Sequence, residues 1–477
     1  MKSRIVFGGI AVLVVALNVA AWNSTAFSDW YIAHVFPLWV TTYGRLTGLF
    51  PFSVGEWLLA AGVVLVVLAL VLGIVWAGIG IAVGCRALVR RVFWREGKSY
   101  GEADALREGK TGGETEVLKE GKTGGEEDAL REGKTGGEED ALRKGKTGGE
   151  EDALREGKTF GKEKALTDGN AKKGRIFCGF QRFSKGFYTF FIWTLLAVSL
   201  IMTLNCFILY HASTFSEHYF GANDSDYTLE ELIQVYNMVA EQCNTLAKEM
   251  ERDDNGMVIY PGSVGKNGAL LDMADMAREL MQQLGETYPQ LDGYYPRPKA
   301  LLSSDFMCQQ YMQGYYFPFS MEANYNDVMH ILNIPSTMCH ELAHLRGYIY
   351  EDEANFIGYL ACVQSEDAFF QYAGYLSVLN YLNNDLYHAW ENSRNAYEAA
   401  VSLVPPVVVD DQVWTDNIFV VQEEWDRING KALIDTEIVD AAADVFIDTN
   451  LKVNGIADGV VSYSRVVRLL LQYYKQS

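Results

Sequence analysis

The sequence predicts a mainly α-helical protein with three transmembrane helices, followed by a mostly helical domain that has one small strand edge. Three observations support this prediction: three long apolar segments, a charged repeat between the second and the third, and apolar residues at helical spacing after Tyr210. The chain has 477 residues, 49% of them hydrophobic, so it can form a sizeable core in addition to its membrane segments.

The three apolar segments are residues 5–22, about 54–84 and about 187–210. Each reaches the roughly 20 residues that a helix needs to cross a bilayer. A buried core helix is the alternative, but uncharged segments of this length are rare in soluble domains. The first segment could also be a cleaved signal peptide. Because its apolar part is long and no clear small-x-small site follows, we favour a retained anchor. The lipid bilayer is therefore the first partner that we predict for this protein.

Basic residues flank the region between the second and third spans. They are Arg86, Arg90, Arg91, Arg95 and Lys98 on one side and Lys172, Lys173, Arg175, Arg182 and Lys185 on the other. The loop between the first two spans carries only Arg45. Since basic flanks remain in the cytoplasm, we expect two membrane helices with a short external loop in residues 1–85 and a disordered cytoplasmic linker in 86–186. The third membrane helix then covers 187–211, and 212–477 form an extracytoplasmic domain.

The charge of that last domain excludes some partners. From residue 212 onward the sequence has 39 Asp and Glu against 14 Lys and Arg, which leaves −25, compared with −21 for the whole chain. A surface this acidic does not favour nucleic acid, so we expect no nucleic-acid partner.

The predicted linker repeats EGKTGGEEDALR with a period of 12, and its Gly-Lys pairs fall at 97, 109, 121, 133, 145 and 157. Each unit offers only Ala and Leu as apolar residues, too few for a continuous core, so we interpret the repeat as a flexible tether. The GKT triplets suggest a phosphate-binding loop. That motif needs a glycine five residues before its Gly-Lys glycine, and Asp140 stands there before Gly145, so we reject it.

Beyond the third span we expect helices at about 226–252, 267–288, 353–383, 386–403 and 463–474, and a strand or strand-like edge at 313–324. Another helix follows Pro335 and carries the motif that matters most. On that helix Cys339 should be buried by packing, and Arg346 should lie at the surface or in a salt bridge. His330 and His388 are expected to be ordinary hydrogen-bonded histidines.

His340-Glu341-Leu342-Ala343-His344 is an HExxH sequence. On a helix the two histidines lie about 40° apart and can bind one ion, whereas Glu341 is displaced by about 100° and can act as a general base. Catalytic Zn²⁺ takes three protein ligands. Gly347 can end the helix in a left-handed turn, after which Glu351 and Asn355 share a face of a new helix. One carboxylate could then reach the ion while the amide orients a histidine.

Two interpretations that need no metal compete with a metal site. HExxH can arise by chance on an amphipathic helix, with histidines that are satisfied by hydrogen bonds. Glu351, Asp352 and Glu353 could simply form the acidic first turn that suits a helix dipole.

The order HExxH and then Glu351-x-x-Ala354-Asn355 resembles gluzincin metallopeptidases, including the HtpX type and the ImmA-like and IrrE-like proteases. The resemblance implies a zincin-like domain in which Glu351 is the third ligand and Asn355 supports a histidine. Only six residues separate His344 from Glu351, fewer than in most gluzincins, so Glu353 stays an alternative ligand.

A second resemblance covers nearly all of the chain outside the repeat. PFSVGEWL, GYYFPFSMEAN, CHELAH, EDEANFIGYLAC and NGIADGVVSYSRVVRLLLQYY are similar to the uncharacterised bacterial membrane family called domain of unknown function 3810. It implies a multi-pass protein of the bacterial inner or plasma membrane. On this resemblance alone, Tyr463 and Arg465 are candidates for stabilising an oxyanion.

Together these patterns predict a membrane-anchored zinc metallopeptidase that cleaves a peptide or protein substrate outside the cytoplasm. His340, His344 and Glu351 would bind Zn²⁺, with Glu341 as general base. The edge at 313–324 could hold an extended substrate or could simply be a buried aromatic edge. Two other classes stay open: a non-catalytic zinc-binding sensor or receptor, and a zinc hydrolase of cell-wall amide bonds.

Overall fold

The computed structural model describes residues 2–105, 153–221, 227–263, 265–453 and 463–476, with side chains except at 82–84, 86–105, 153–176, 446–453 and 463–464. The structure is 74% helical and has few strands, which confirms the predicted class. Two compact units are present: Met1–Leu65 with Ile192–Ser477, and Val66–Phe191.

Among the described residues, three helices are long and apolar enough to cross a membrane, as the sequence predicts. Their candidate spans are Lys2–Asn23, Val54–Ile81 and Phe177–His211. The helices that contain them are α1 (Lys2–Asn23), α5 (Val54–Ala105) and α6 (Ala153–Met202). The predicted linker is therefore helical at 86–105 and 153–186, while its residues 106–152, with most of the repeat, lie outside the described residues. Within the second unit, the Tyr188 hydroxyl donates to the Ala69 carbonyl at 2.8 Å.

The connection between the first two spans is folded. It forms α2 (Thr25–His34), α3 (Phe36–Trp39), a π-helical turn (Val40–Gly44) and α4 (Arg45–Thr47). The Ser24 side chain caps α2 by accepting from the Phe27 amide, and Phe36 and Val40 are buried in the main core. The third span continues beyond α6 through a π-helical turn (Thr203–Phe207) and a 3₁₀ turn (Leu209–His211).

The C-terminal domain, residues 212–477, consists mainly of helices. They are α7 (Phe215–Tyr219), α8 (Leu229–Leu246), α9 (Gly265–Thr287), α10 (Ser304–Gln309), α11 (Ile334–His344), α12 (Glu351–Val363), α13 (Ala368–Asn392), α14 (Arg394–Leu403), α15 (Asp411–Asp416), α16 (Gln422–Lys431), α17 (Thr436–Val453) and α18 (Tyr463–Gln476). Thr228 and Glu231 form a reciprocal capping box that starts α8. This helix ends before the predicted residue 252, because the chain reverses there and Arg252 bridges to Val258.

One predicted break between helices was placed wrongly. The sequence suggested helices at 353–383 and 386–403, but α12 ends at Val363 and α13 runs from Ala368 to Asn392. The break lies at Asp367, whose carboxylate accepts hydrogen bonds from the amides of Phe369 and Phe370. This N-cap chemistry outweighs the continuous apolar pattern.

The strands are β1 (Lys299–Ala300), β2 (Gly314–Phe317) and β3 (Glu322–Tyr325), in the order β1-β3-β2. The single edge predicted at 313–324 is therefore a hairpin, in which β2 pairs antiparallel with β3. A turn that contains Pro318 interrupts it, and Met321 has a φ of +54°. Proline cannot donate to a ladder, so the extended run ends there.

Candidate metal centre

Helix α11 carries the HExxH residues in the centre of the core. Met338, Cys339 and Leu342 are fully buried, so Cys339 is a packing residue as expected. After α11 the chain turns sharply at Gly347, which has a φ of +92° and donates its amide hydrogen to the His344 carbonyl at 3.1 Å. Only glycine adopts this conformation without strain, and the turn brings α12 back against α11.

The two helices approach closely at Gly358 of α12. A Cβ atom added there would lie 2.7 Å from the Ser336 carbonyl oxygen and 3.3 Å from the His340 amide nitrogen. The absence of a side chain at Gly358 thus allows the HExxH helix to pack directly on the helix that begins with Glu351.

Three side chains converge as a result. The Nε2 atoms of His340 and His344 lie 3.1 Å apart. Glu351 places Oε2 3.0 Å from Nε2 of His340 and Oε1 3.9 Å from Nε2 of His344. The predicted ligand set therefore meets around one point.

The other ring nitrogens show which tautomer each histidine adopts. Nδ1 of His344 lies 2.7 Å from the Tyr348 carbonyl oxygen, which can only accept. Nδ1 of His340 lies 2.9 Å from Oδ1 of Asn355. With both Nδ1–H groups donating, two neutral imidazoles would present Nε2 lone pairs to each other and to the Glu351 carboxylate. Acceptors that face one another in this way require a cation or a proton between them.

The donor set fits zinc. Two nitrogen ligands about 2.0–2.1 Å from a tetrahedral Zn²⁺ lie about 3.3 Å apart, which is close to the observed 3.1 Å between the two Nε2 atoms. Two imidazoles and one carboxylate leave a fourth position for water or substrate, the pattern of catalytic zinc sites.

Glu341 lies beside this cluster. Oε1 of Glu341 is 3.9 Å from Nε2 of His340, and the ligand atoms of His340, Glu341 and His344 all lie within 4.8 Å of one another. The side chain is buried, and among the described residues its Oε2 has no hydrogen-bond partner. Burial raises the pKa of Glu341 to about 8. A buried, unpaired carboxyl group is costly, so a partner such as water or a cation is expected.

Charges within the cluster are strongly coupled. Burial lowers the pKa of His340, but the hydrogen bond and charge of Glu351 outweigh this effect and raise that pKa to about 9. Burial lowers the pKa of His344 to about 4. Burial raises the pKa of Glu351, yet the two histidines lower it to about 2. The Glu351 side chain is 52% exposed, so the cluster is open to solvent on this side.

The structure separates Glu351 from the alternative ligand Glu353. Glu353 is buried and accepts a hydrogen bond from the Phe215 amide. Burial and the neighbouring Asp352 raise the pKa of Glu353 well above its usual range. Glu353 therefore anchors α7, whereas Glu351 faces the histidines and Asn355 supports His340 in the predicted way.

The two weaker candidates lie on α18. Tyr463 begins this helix, but its side chain lies outside the described residues. Arg465 is close enough to Asp352 to lower its pKa, although burial dominates and raises that pKa to about 6. Roles for Tyr463 and Arg465 in stabilising an oxyanion stay predictions.

Three predictions concern residues outside the cluster: those for Arg346 and His330 are wrong, and the one for His388 is confirmed. Arg346 was expected at the surface or in a salt bridge, but it is buried and donates to the Gln290 and Asp292 carbonyls. His330 was expected to be hydrogen-bonded, yet both of its ring nitrogens lack a partner among the described residues. His388 is exposed and lies 3.5 Å from Glu391, as a surface histidine should.

Sequence reasoning missed the role of Gly314, the first residue of β2. A Cβ atom there would lie 2.4 Å from Oε1 of Glu341, so only glycine lets this strand lie against the acid. The tight contact leaves no signal in the sequence beyond a glycine before an aromatic run. Tyr316, two residues later on the same face, has its ring 5.8 Å from that of His344.

These features define a helical membrane protein with a buried His/Glu cluster that could hold a metal ion. The model of the family described as "Protein of unknown function (DUF3810)" matches residues 172–471, well over half of the sequence. The chain belongs to this family. No curated protein and no solved structure matches it.

Proposed function

We propose that the protein is a membrane-anchored zinc metallopeptidase whose catalytic domain lies outside the cytoplasm. One observation carries the proposal: both histidines of HExxH direct their Nε2 atoms to the same point, 3.1 Å apart, with the Glu351 carboxylate beside them. Because both Nδ1–H groups already donate elsewhere, only a shared proton or a cation can hold the two Nε2 atoms and the Glu351 carboxylate together, and zinc is a cation that this donor set fits.

Each residue has a defined task in the proposed reaction. His340, His344 and Glu351 hold Zn²⁺, which when bound polarises the peptide carbonyl and lowers the pKa of water. Asn355 and the Tyr348 carbonyl fix the two imidazoles in the ligating tautomer. Glu341 takes a proton from the attacking water as the new C–O bond forms, and it passes that proton to the amine as the C–N bond breaks.

The buried position of Glu341 supports its task as a base. No group among the described residues donates a hydrogen bond to its Oε2, so a water molecule is expected as the missing partner. Its raised pKa describes the cluster without an ion, and a nearby cation would favour the ionised form. Strand β2 passes directly beside the acid at Gly314 and is an edge of the described sheet, where an extended peptide could add as a further strand.

The test compares the full wild-type chain with Glu341→Gln in detergent micelles, using bound zinc and hydrolysis of unfolded casein as readouts. We expect Glu341→Gln to keep one zinc per chain and to lose turnover by at least 10²-fold, the usual scale of acid–base catalysis. Glu249→Gln, at an exposed glutamate of the same domain, is the matched control and should behave like wild type.

The alternatives give different results. A wild-type chain that binds zinc but cleaves neither casein nor solubilised membrane proteins would favour a sensor or a cell-wall amidase, which purified wall material would then distinguish. A metal-free wild-type chain would refute the metallopeptidase altogether.

The orientation has its own test. Cys85 and Cys178 are exposed, while the other five cysteines are buried. If the flanks of the linker are cytoplasmic, a membrane-impermeant maleimide added to intact cells should label neither Cys85 nor Cys178. It should label a cysteine introduced at exposed Glu391, and the reverse pattern would place the C-terminal domain in the cytoplasm.

A further inference from the structure

The candidate metal centre lies against the end of the third membrane span. The Tyr316 ring that contacts His344 carries a hydroxyl that donates to the Asn205 carbonyl at 3.1 Å. Asn205 in turn donates to the Pro318 carbonyl at 2.8 Å. A single tyrosine side chain therefore separates the ligand His344 from the membrane helix.

The third span also contacts the residue next to Glu351, on the other side of the centre. Tyr350, directly before Glu351, donates its hydroxyl hydrogen to the Tyr210 carbonyl at 2.6 Å. Asn205 and Tyr210 both belong to the candidate span Phe177–His211. The third span thus contacts residues on both sides of the ligand set.

The β2–β3 hairpin also binds the start of the second span. The Glu322 carboxylate accepts from the amides of Val54 and Gly55 at 3.1 and 2.7 Å, which caps α5. A Cβ atom at Gly55 would lie 2.4 Å from the Phe317 ring, so the hairpin packs directly on the span. The end of β2 is therefore fixed where α5 begins.

Exposed aromatic residues indicate the level of the bilayer surface. Trp22 at the end of the first span is 57% exposed, and Trp57 near the start of the second is 59% exposed. Tryptophan concentrates at membrane–water interfaces. The folded connection between these spans also exposes large apolar side chains, namely Trp30, Leu38, Leu46, Leu49 and Phe50. Exposed apolar side chains on the connection between two spans are suited to the lipid interface rather than to water.

Strand β2 connects the start of the second span with the catalytic acid. Phe317 packs on Gly55, two residues from Trp57, and Gly314 packs on Glu341. Gly314 and Phe317 are three residues apart on β2. At about 3.4 Å per residue, at most about 10 Å of strand separates these two contacts. An extended chain that reaches from the bilayer surface to Glu341 therefore needs only a few residues.

We propose that the substrates are membrane-anchored polypeptides and that the cut falls within about ten residues of their membrane segment. This inference rests on the proposed peptidase function. It names the substrate class by placement: the bond to be cut must come to an acid that contacts Gly314, three residues along β2 from the contact of Phe317 with the second span, whereas a freely diffusing protein would have to approach that interface.

The first experiment reconstitutes the full chain in vesicles with solubilised membrane proteins of the expression host, and in a parallel sample with unfolded casein. New amino termini made by wild type and not by Glu341→Gln are mapped by mass spectrometry. We expect them within about ten residues of membrane segments. Sites scattered along substrate chains, or casein cut equally fast, would overturn the inference while the peptidase function stands. No new termini in any sample would refute the peptidase function itself.

A second experiment keeps the substrate sequence constant and varies its distance from the membrane. The residues around the most abundant site are placed either 5 or 30 residues from a single membrane helix, and we expect cleavage at least tenfold faster for the short spacer. Equal rates would contradict the inference.

A matched pair of variants tests the interface itself. Leu49→Asp places a charge on the exposed connection, and Leu433→Asp places one on an exposed site of the C-terminal domain. Leu49→Asp should slow cleavage of the short-spacer substrate several-fold with zinc content unchanged, whereas Leu433→Asp should not. Equal rates for both variants would contradict the interfacial placement.

Discussion

Two buried charged clusters in this protein have opposite hydrogen-bonding states. In the first, at the hairpin, the Lys299 ammonium donates to the Thr47 and Phe52 carbonyls and to Glu322, and Glu322 also accepts from two amides of α5. In the second, at the HExxH helix, the Nε2 atoms of two imidazoles face each other across a gap that only a proton or a cation can bridge, and one oxygen of Glu341 has no partner among the described residues. A satisfied buried pair holds a fold together, while an unsatisfied one indicates that something must bind.

The largest contrast should appear in stability. Glu322→Gln would leave the Lys299 ammonium buried without its counter-charge, and we expect a loss of about 3–5 kcal/mol. Glu341→Gln removes a buried, unpaired carboxyl group, so its free energy of unfolding should stay within about 1 kcal/mol of wild type or rise. Denaturant titration of the full chains in micelles measures both.

A double variant is the control for this contrast. Lys299→Met combined with Glu322→Leu removes both charges and should recover most of the lost stability. Equal stability of Glu322→Gln and wild type would show that the hairpin cluster does not hold the membrane helix.

The second contrast concerns adjacent acids on α12. Glu351→Gln should weaken zinc binding by about 10²-fold, roughly 2.7 kcal/mol, because a charged ligand is lost. Glu353→Gln should keep its zinc, since an amide oxygen can still accept from the Phe215 amide. Competition with a fluorescent chelator gives both affinities. Loss of zinc from Glu353→Gln alone would show that the ligand is wrongly assigned.

Helix packing provides a smaller effect. Gly358→Ala would push a methyl group against the Ser336 carbonyl and separate α11 from α12, at a cost of about 1–3 kcal/mol and with weaker zinc binding. Gly430→Ala, at a glycine with no atom within 4 Å of an added Cβ, should be neutral or slightly stabilising. Thermal unfolding and zinc titration measure the two effects. Wild-type stability and zinc affinity in Gly358→Ala would contradict this prediction.

The smallest effect is the dependence of zinc affinity on pH. Because Glu351 raises the pKa of His340 to about 9, His340 carries a proton at pH 7 that zinc must displace. Affinity should therefore rise by about tenfold, or 1.4 kcal/mol, per pH unit up to about pH 9, with a proton released on binding. Calorimetry in buffers of different ionisation enthalpy counts that proton. Binding without proton release would contradict the assigned charge state.

Some of the architecture was predictable because its causes are local. The three spans depend on the length of uninterrupted apolar sequence, and the class of the C-terminal domain depends on its helical periodicity. The break between α12 and α13 was misplaced, since the capping carboxylate of Asp367 acts within a run of helix-compatible residues. The sequence predicts one edge where the structure has a hairpin, because pairing between strands is not visible in a single segment.

By itself the sequence determined which side chains of α11 share a face, since four residues on a helix return to nearly the same direction. It could not decide between Glu351 and Glu353, two positions apart on the same first turn. Only the tertiary structure shows which of them lies beside the histidines, because it brings the Phe215 amide, 138 residues away along the chain, against Glu353 and leaves Glu351 next to His340 and His344. The tertiary structure alone also brings Gly314 against Glu341 and the third span against the candidate metal centre. Such neighbours are set by packing between distant segments, which local spacing does not encode.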